Sequence, residues 1–254
     1  MLAPLWVQRI WHTNMMNNSK VWTGREAKTP FAPVFRMPYY IAKHGTEDFK
    51  KRLVDYCLQC EKILETEELV SGVIKNTGDP YEFTQHWKQH NLLDDSGDRK
   101  GGNHLERFPT NDIQKELFNI IREHYLRFMI EQGYPRRKVY IHTWANCLRK
   151  GQHVNRHCHV SGENSYLACV YYPQASNTSL YLASPYDQEQ ALAIQTVSGG
   201  LVLWPSWVIH GTDQTIHDLR VSVASDIVTV ETMEANPWRP HILFDDPETM
   251  PGLY

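Results

Sequence analysis

Two stretches of the chain repeat apolar residues at three- and four-residue steps, the period of a helix face. Residues 46–70 (TEDFKKRLVDYCLQCEKILETEELV) put Phe49, Leu53, Tyr56, Cys57, Cys60, Ile63 and Leu64 on one side. Thr46 stands where a cap belongs, and Glu47 and Asp48 fill the first turn. Residues 110–132 (TNDIQKELFNIIREHYLRFMIEQ) form the stronger pattern, with Ile113, Leu117, Ile120, Ile121, His124, Phe128 and Met129 as the apolar face. Gly133 and Pro135 end it. Between the two helices, residues 93–103 (LDDSGDRKGGN) are Gly- and Asp-rich and read as a loop, either plain or lid-like. Residues 1–35 are polar and aromatic with no clear period.

After Pro135 the pattern changes to short alternating or β-rich runs separated by turn residues. They are 138–148 (KVYIHTWANCL), 165–172 (SYLACVYY), 179–183 (SLYLA), 192–197 (LAIQTV), 200–204 (GLVLW) and 219–230 (LRVSVASDIVTV). So many short strands in succession predict a sandwich or barrel, with the two helices packed outside it. The expected class is α+β, mainly β, in a single domain over 1–254. Residues 1–135 form a helical and irregular support region, 136–230 the β core and 231–254 a Pro- and Asp-rich tail that wraps the surface.

Composition narrows the function classes. Apolar residues at 41% and charged residues at 22% allow a full core and exclude a disordered type. A net charge of −3 gives no basic face for nucleic acid. No run of 18 apolar residues exists, so no membrane span is expected. The N-terminal residues lack an apolar h-region, and five irregularly spaced cysteines argue against a disulfide framework. The expected compartment is therefore reducing and cytoplasmic. Cys57-x-x-Cys60 lies inside a predicted helix and reads as core rather than redox or zinc.

The candidate chemistry lies in residues 151–165 (GQHVNRHCHVSGENS), where His157 and His159 flank Cys158. On an extended segment two imidazoles two residues apart share a face, and their nitrogens suit iron, copper, nickel or zinc. Cys158 then points the other way, into packing, and His153 is exposed or supports a ligand without being one. A later His210 follows the Gly-bounded run GGLVLWPSWVIHG, whose Trp204 and Trp207 read as core. Ten residues on, RVSVASDIV puts Arg220, Ser222, Ala224 and Asp226 on one strand face. An inward Arg220 needs an anionic partner, and a bound carboxylate suits its bidentate fork.

This order of motifs resembles the iron(II)- and 2-oxoglutarate-dependent oxygenases, in particular a small branch with His-x-His, a late His and Arg-x-Ser. The segments RKGQHVNRHCH, LACVYYP, GGLVLWPSWVIH and LRVSVASDI line up in order, covering residues 138–229, and TPFAPVF at 29–35 is similar to the branch's N-terminal strand. The resemblance implies a double-stranded β-helix (jelly roll, cupin-like) that holds Fe(II) on His157, His159 and His210. It implies 2-oxoglutarate chelated there with its far carboxylate on Arg220 and Ser222, O2 as co-reactant, and hydroxylation of an unactivated C–H of a small molecule. It places Trp144, Asn146 and Tyr172 in the cosubstrate pocket; His142 shares a strand face with Trp144 and Asn146. One departure stands out: the superfamily usually has Asp or Glu where this chain has His159. A three-histidine site and a halogenase-like site with one histidine unbound both remain open. A cupin reading uses Gly151, His157, His159 and Glu163, then Gly199, Pro205 and His210, without 2-oxoglutarate. A non-enzymatic ligand-binding jelly roll needs neither iron nor Arg220.

Overall fold

The computed structural model describes residues 6–10, 18–24, 26–71, 105, 110–159, 162–187, 190–235 and 241–253. Loop 93–103 lies outside them. The described strands are β1 (Trp6–Ile10), β2 (Ser19–Thr23), β3 (Arg36–Lys43), β4 (Val139–Arg149), β5 (Leu167–Gln174), β6 (Ser179–Ala183), β7 (Gln190–Gln195), β8 (Gly200–Pro205), β9 (His210–Thr212), β10 (Leu219–Thr229) and β11 (Ile242–Asp245). Helices are α1 (Glu47–Ser71), α2 (Asp112–Gln132) and α3 (Val230–Ala235).

The strands form two sheets. A seven-stranded sheet runs β11-β4-β10-β5-β8-β3-β2, and a four-stranded sheet runs β1-β7-β6-β9. Residues 151–157 add an irregular extended edge to the smaller sheet. Thr212 N–H donates to the Val154 carbonyl, and His157 and His210 exchange both main-chain bonds at 2.8 and 2.9 Å. Counting that segment, the chain visits large, small, large, small, small, large, small and large sheets in turn from β4 to β10. This is the two-sheet jelly roll, in which strands such as β4 and β10 or β3 and β8 pair across long stretches of sequence.

Alternation fixes which residues meet. On β10, Val221, Val223 and Ile227 enter a core shared with α1 and α2, alongside Phe49, Leu53, Leu117, Ile121 and Phe128. The opposite face carries Arg220, Ser222, Ala224 and Asp226 toward the smaller sheet. A second core fills the space between sheets with Tyr39, Ile41, Val170, Leu180, Leu192, Ile194 and Trp204. Both faces of β10 are thus buried, and polar residues on one of them mark a site rather than solvent. Gly199 (φ +81°) turns the chain into β8, where a Cβ would lie 2.8 Å from the His44 carbonyl.

Three parts of the chain behave differently from their sequence patterns. Residues 1–135, read as helical and irregular, also supply β1, β2 and β3, with β3 zipped to β8 in the large sheet. Residues 29–35 are turns and coil, and the strand starts at Arg36. The tail adds β11 to the edge at β4. Buried Asp245 holds that tail to α2 by accepting bonds from Arg122 and Arg136 at 2.8 and 2.7 Å. Two packing expectations also fail: Cys158 is exposed just past the irregular edge segment, and Trp207 is 37% exposed on the turn after β8. Cys57 and Cys60 are buried free thiols in the helix-side core, and burial pushes both up in pKa.

Helix α2 starts on a capping box, in which Gln114 N–H donates to Asn111 Oδ1 and Asn111 N–H to Gln114 Oε1. It meets β3 through a polar chain. Asn18 Nδ2 donates to the Tyr40 hydroxyl, which bonds His124 Nδ1 at 2.9 Å, and His124 Nε2 lies 3.0 Å from His44 Nδ1. Burial, helped by His44, pushes His124 down to about 4. The unfolded chain takes up a proton near pH 6.5 and the folded chain only near 4, so this group's stabilisation is complete above about pH 6.5 and is lost as pH falls toward 4. Urea midpoints should therefore drop between pH 7 and pH 5 more in the wild type than in His124→Gln. Equal drops would remove His124 as a cause.

Candidate metal centre

His157 lies at the end of the irregular edge segment, His159 two residues beyond it, and His210 opens β9. Gly211 allows this pairing, since a Cβ there would sit 3.0 Å from the Val154 carbonyl oxygen. The three rings converge, with centroids 4.3 Å (His157–His210), 4.7 Å (His159–His210) and 5.1 Å (His157–His159) apart. One nitrogen from each ring lies within 4.8 Å of the others.

Each Nδ1 already faces an acceptor. His157 Nδ1 donates to the Asn155 carbonyl at 2.8 Å, and His210 Nδ1 to the Val208 carbonyl at 2.9 Å. His159 Nδ1 donates to Asp226 Oδ1 in a short bond. A carbonyl or ionised carboxylate only accepts, so each ring holds a proton on Nδ1 and turns Nε2, the atom a metal would take, toward the other two rings. His157 Nε2 and His159 Nε2 lie 3.2 Å apart. Two inward ring nitrogens this close need either a shared proton or a metal ion between them. Nitrogens about 2.1 Å from an ion and at right angles to each other lie about 3 Å apart, so the residues fit a metal. Burial, with the neighbouring imidazoles adding to it, holds His210 well below the ordinary histidine range and keeps it a neutral donor.

Asp226 is 2% exposed and spans two histidines, with Oδ2 3.2 Å from His142 Nε2. Burial alone would raise its pKa, but His159 and His142 outweigh that and hold it well below the carboxylate range. Trp144 stacks on His142 (5.6 Å, 27°) and presents an edge to His159 at 5.2 Å. Trp204, expected as core, is core and also packs edgewise on His210 at 4.9 Å.

From Asp226 the same face of β10 leads to Ser222, opposite Asn146 on β4, and then to Arg220. Arg220 is 0% exposed. Its Nη1 donates to Thr178 Oγ1 and its Nη2 to Thr212 Oγ1, both at 3.1 Å. Its Nε has no protein partner, and among the described residues no carboxylate lies within ion-pair distance. Burial lowers its pKa, though Tyr172 and Asp213 oppose the shift. Tyr172 faces the space between the sheets near Arg220, with its pKa pushed up to about 12 by burial, while Tyr171 faces the helices and donates to the His44 carbonyl.

The structure thus brings together His157, His159 and His210, and along one face of the large sheet Trp144 and Asn146 of β4, Tyr172 of β5, and Ser222 and Arg220 of β10. Glu163, the cupin-like fourth residue, is exposed on a turn and outside the converging nitrogens. Sequence reading missed roles for Asp226, Thr178 and Thr212. Only Asp226 had a signal, an acid inside the apolar run VASDIV in phase with Arg220.

No protein-family model matches the chain, and no curated protein matches it. Among solved structures, it is similar to the 2-oxoglutarate complex of a viral collagen prolyl hydroxylase from Paramecium Bursaria Chlorella virus-1. That likeness has 9% identity and a TM-score of 0.47, covering 76% of this chain and 96% of that one. A Pseudomonas putida prolyl-4-hydroxylase gives 11% identity and a TM-score of 0.46, over 75% and 86% of the two chains. SnoK, a non-heme alpha ketoglutarate dependent carbocyclase from nogalamycin biosynthesis, gives 10% and 0.45, over 85% and 89%. In course of chain it is similar to 2OG-Fe(II) oxygenases. Likenesses this distant assign no chemistry, which rests on the site itself. Among the described residues no helix is long and apolar enough to cross a membrane.

Proposed function

We propose that the protein is an Fe(II)- and 2-oxoglutarate-dependent oxygenase that hydroxylates an unactivated C–H of a small molecule. The observation that carries the reading is the inward pair His157 Nε2 and His159 Nε2, 3.2 Å apart and closed by His210, together with a buried Arg220 that has no carboxylate within ion-pair distance among the described residues. His157, His159 and His210 would hold the iron on one side and leave the other side open to co-ligands. When bound, iron supplies the activation of O2. Over one turnover 2-oxoglutarate and O2 yield succinate and CO2, and the second oxygen atom enters the substrate C–H.

The chain's own residues do the rest. The Asn155 and Val208 carbonyls and Asp226 keep each proton on Nδ1, so the three Nε2 atoms are donors without rearrangement. Arg220, braced by Thr178 and Thr212, receives the far carboxylate of 2-oxoglutarate through its planar fork, and Ser222 adds a hydroxyl beside it. An anion there would satisfy the buried Nε. Trp144, Trp204 and Tyr172 keep water from the pocket, which strengthens the ion pair within it.

Anaerobic Fe(II) titration with and without 2-oxoglutarate tests the proposal. One iron should bind per chain, and 2-oxoglutarate should bring up a weak visible charge-transfer absorption and, in air, oxygen uptake with succinate release. Oxygen uptake that never depends on 2-oxoglutarate would favour a cupin-type dioxygenase. Binding of no metal at all would leave a ligand-binding jelly roll.

A further inference from the structure

We propose that Asp226 is the site's acidic residue moved one imidazole outward, supplying through His159 the negative charge that a directly coordinating acid gives in the common His-x-acid pattern. The inference rests on the three-histidine reading and asks what makes such a site work. The three ligands are not equivalent, since the Nδ1 partners of His157 and His210 are neutral carbonyls and that of His159 is a buried carboxylate. Polarised by that carboxylate, His159 is the strongest donor of the three, and the charge lost by having no coordinating acid is restored nearby.

The carboxylate is fixed at both oxygens. Oδ1 takes the His159 proton, and Oδ2 lies 3.2 Å from Nε2 of His142, directly across the β4–β10 ladder. His142 is itself clamped, stacked on Trp144 and met edge-on by His241 at 4.9 Å. Trp144 closes the ring by touching His159. Asp226 therefore stands behind His159 on a central strand, unable to replace it at the metal. It is a positioning residue for His159, with an electrostatic effect that a purely structural role lacks.

That difference gives a sign test in Fe(II) affinity, read anaerobically by quenching of tryptophan fluorescence, with circular dichroism as the folding check. In the wild-type background, Asp226→Asn keeps size and hydrogen bonding but removes the charge, and should weaken Fe(II) binding about 10- to 100-fold. In the His159→Asp background the same change should have the opposite effect. There the new carboxylate crowds Asp226 without an imidazole between them, so His159→Asp alone binds iron poorly and His159→Asp/Asp226→Asn binds it more tightly. If Asp226→Asn alone does not fold, the comparison between those last two proteins still decides. Equal losses from Asp226→Asn in both backgrounds, no loss in either, or no gain of the double variant over His159→Asp overturns the inference. A wild type that binds no iron overturns the metal reading as well, so the two failures are distinguishable.

Discussion

His210→Ala should yield a folded protein that has lost most of its iron, with Fe(II) affinity down by more than about 100-fold, the upper range for removing a mere supporting residue. Folding survives because the imidazole's one hydrogen bond goes to the Val208 carbonyl two residues away, and the β9 pairings to β6 and His157 are main-chain bonds that alanine keeps. On the proposed reading the iron is lost because His210 is the one ligand of the three that comes from β9. Metal analysis after anaerobic reconstitution and a circular dichroism spectrum give both readouts. His157→Ala and His159→Ala should also deplete iron severely, and full iron content in all three variants would sink the site.

Arg220→Ala should spare the iron and cost the cosubstrate. Losing a charge-assisted bidentate contact in a dry pocket removes about 2–4 kcal/mol, or about 30- to 1,000-fold in the apparent constant for 2-oxoglutarate. The fold should tolerate it because the two hydroxyls that brace the guanidinium keep other partners. Thr178 Oγ1 lies 3.3 Å from Thr196 Oγ1, and Thr212 Oγ1 accepts from the Val154 N–H. Removing a buried cation with no carboxylate in ion-pair distance among the described residues also strands no opposite charge. Arg220→Lys should rescue only partly, since an ammonium keeps the charge and loses the fork. An unchanged 2-oxoglutarate constant in Arg220→Ala, with iron still bound, would move the cosubstrate elsewhere or remove it from the reaction.

Much of the fold was legible along the chain because its signals are local. The faces of α1 and α2 repeat within a turn, and Gly133 ends α2 in the left-handed conformation expected of it. The strands from β4 to β10 alternate between two faces, so the phase that puts Val221 and Val223 against the helices necessarily turns Arg220, Ser222 and Asp226 the other way. His157 and His159 share a direction for the same reason.

The tertiary structure alone decided what those faces meet. β1, β2 and β11 are short, mixed in pattern and added at sheet edges that offer main-chain partners, and β3 pairs with the distant β8, which puts its Tyr39 and Ile41 between the sheets. Arg220 finds Thr178 and Thr212 only once β6 and β9 fold over β10. Asp226, one acid in an apolar run, has meaning only beside His142 across the ladder and His159 from a distant segment. Sequence periodicity says which way a side chain points. Its partner, and with it the burial that makes a charge costly unless matched, is fixed only by pairing between segments dozens of residues apart.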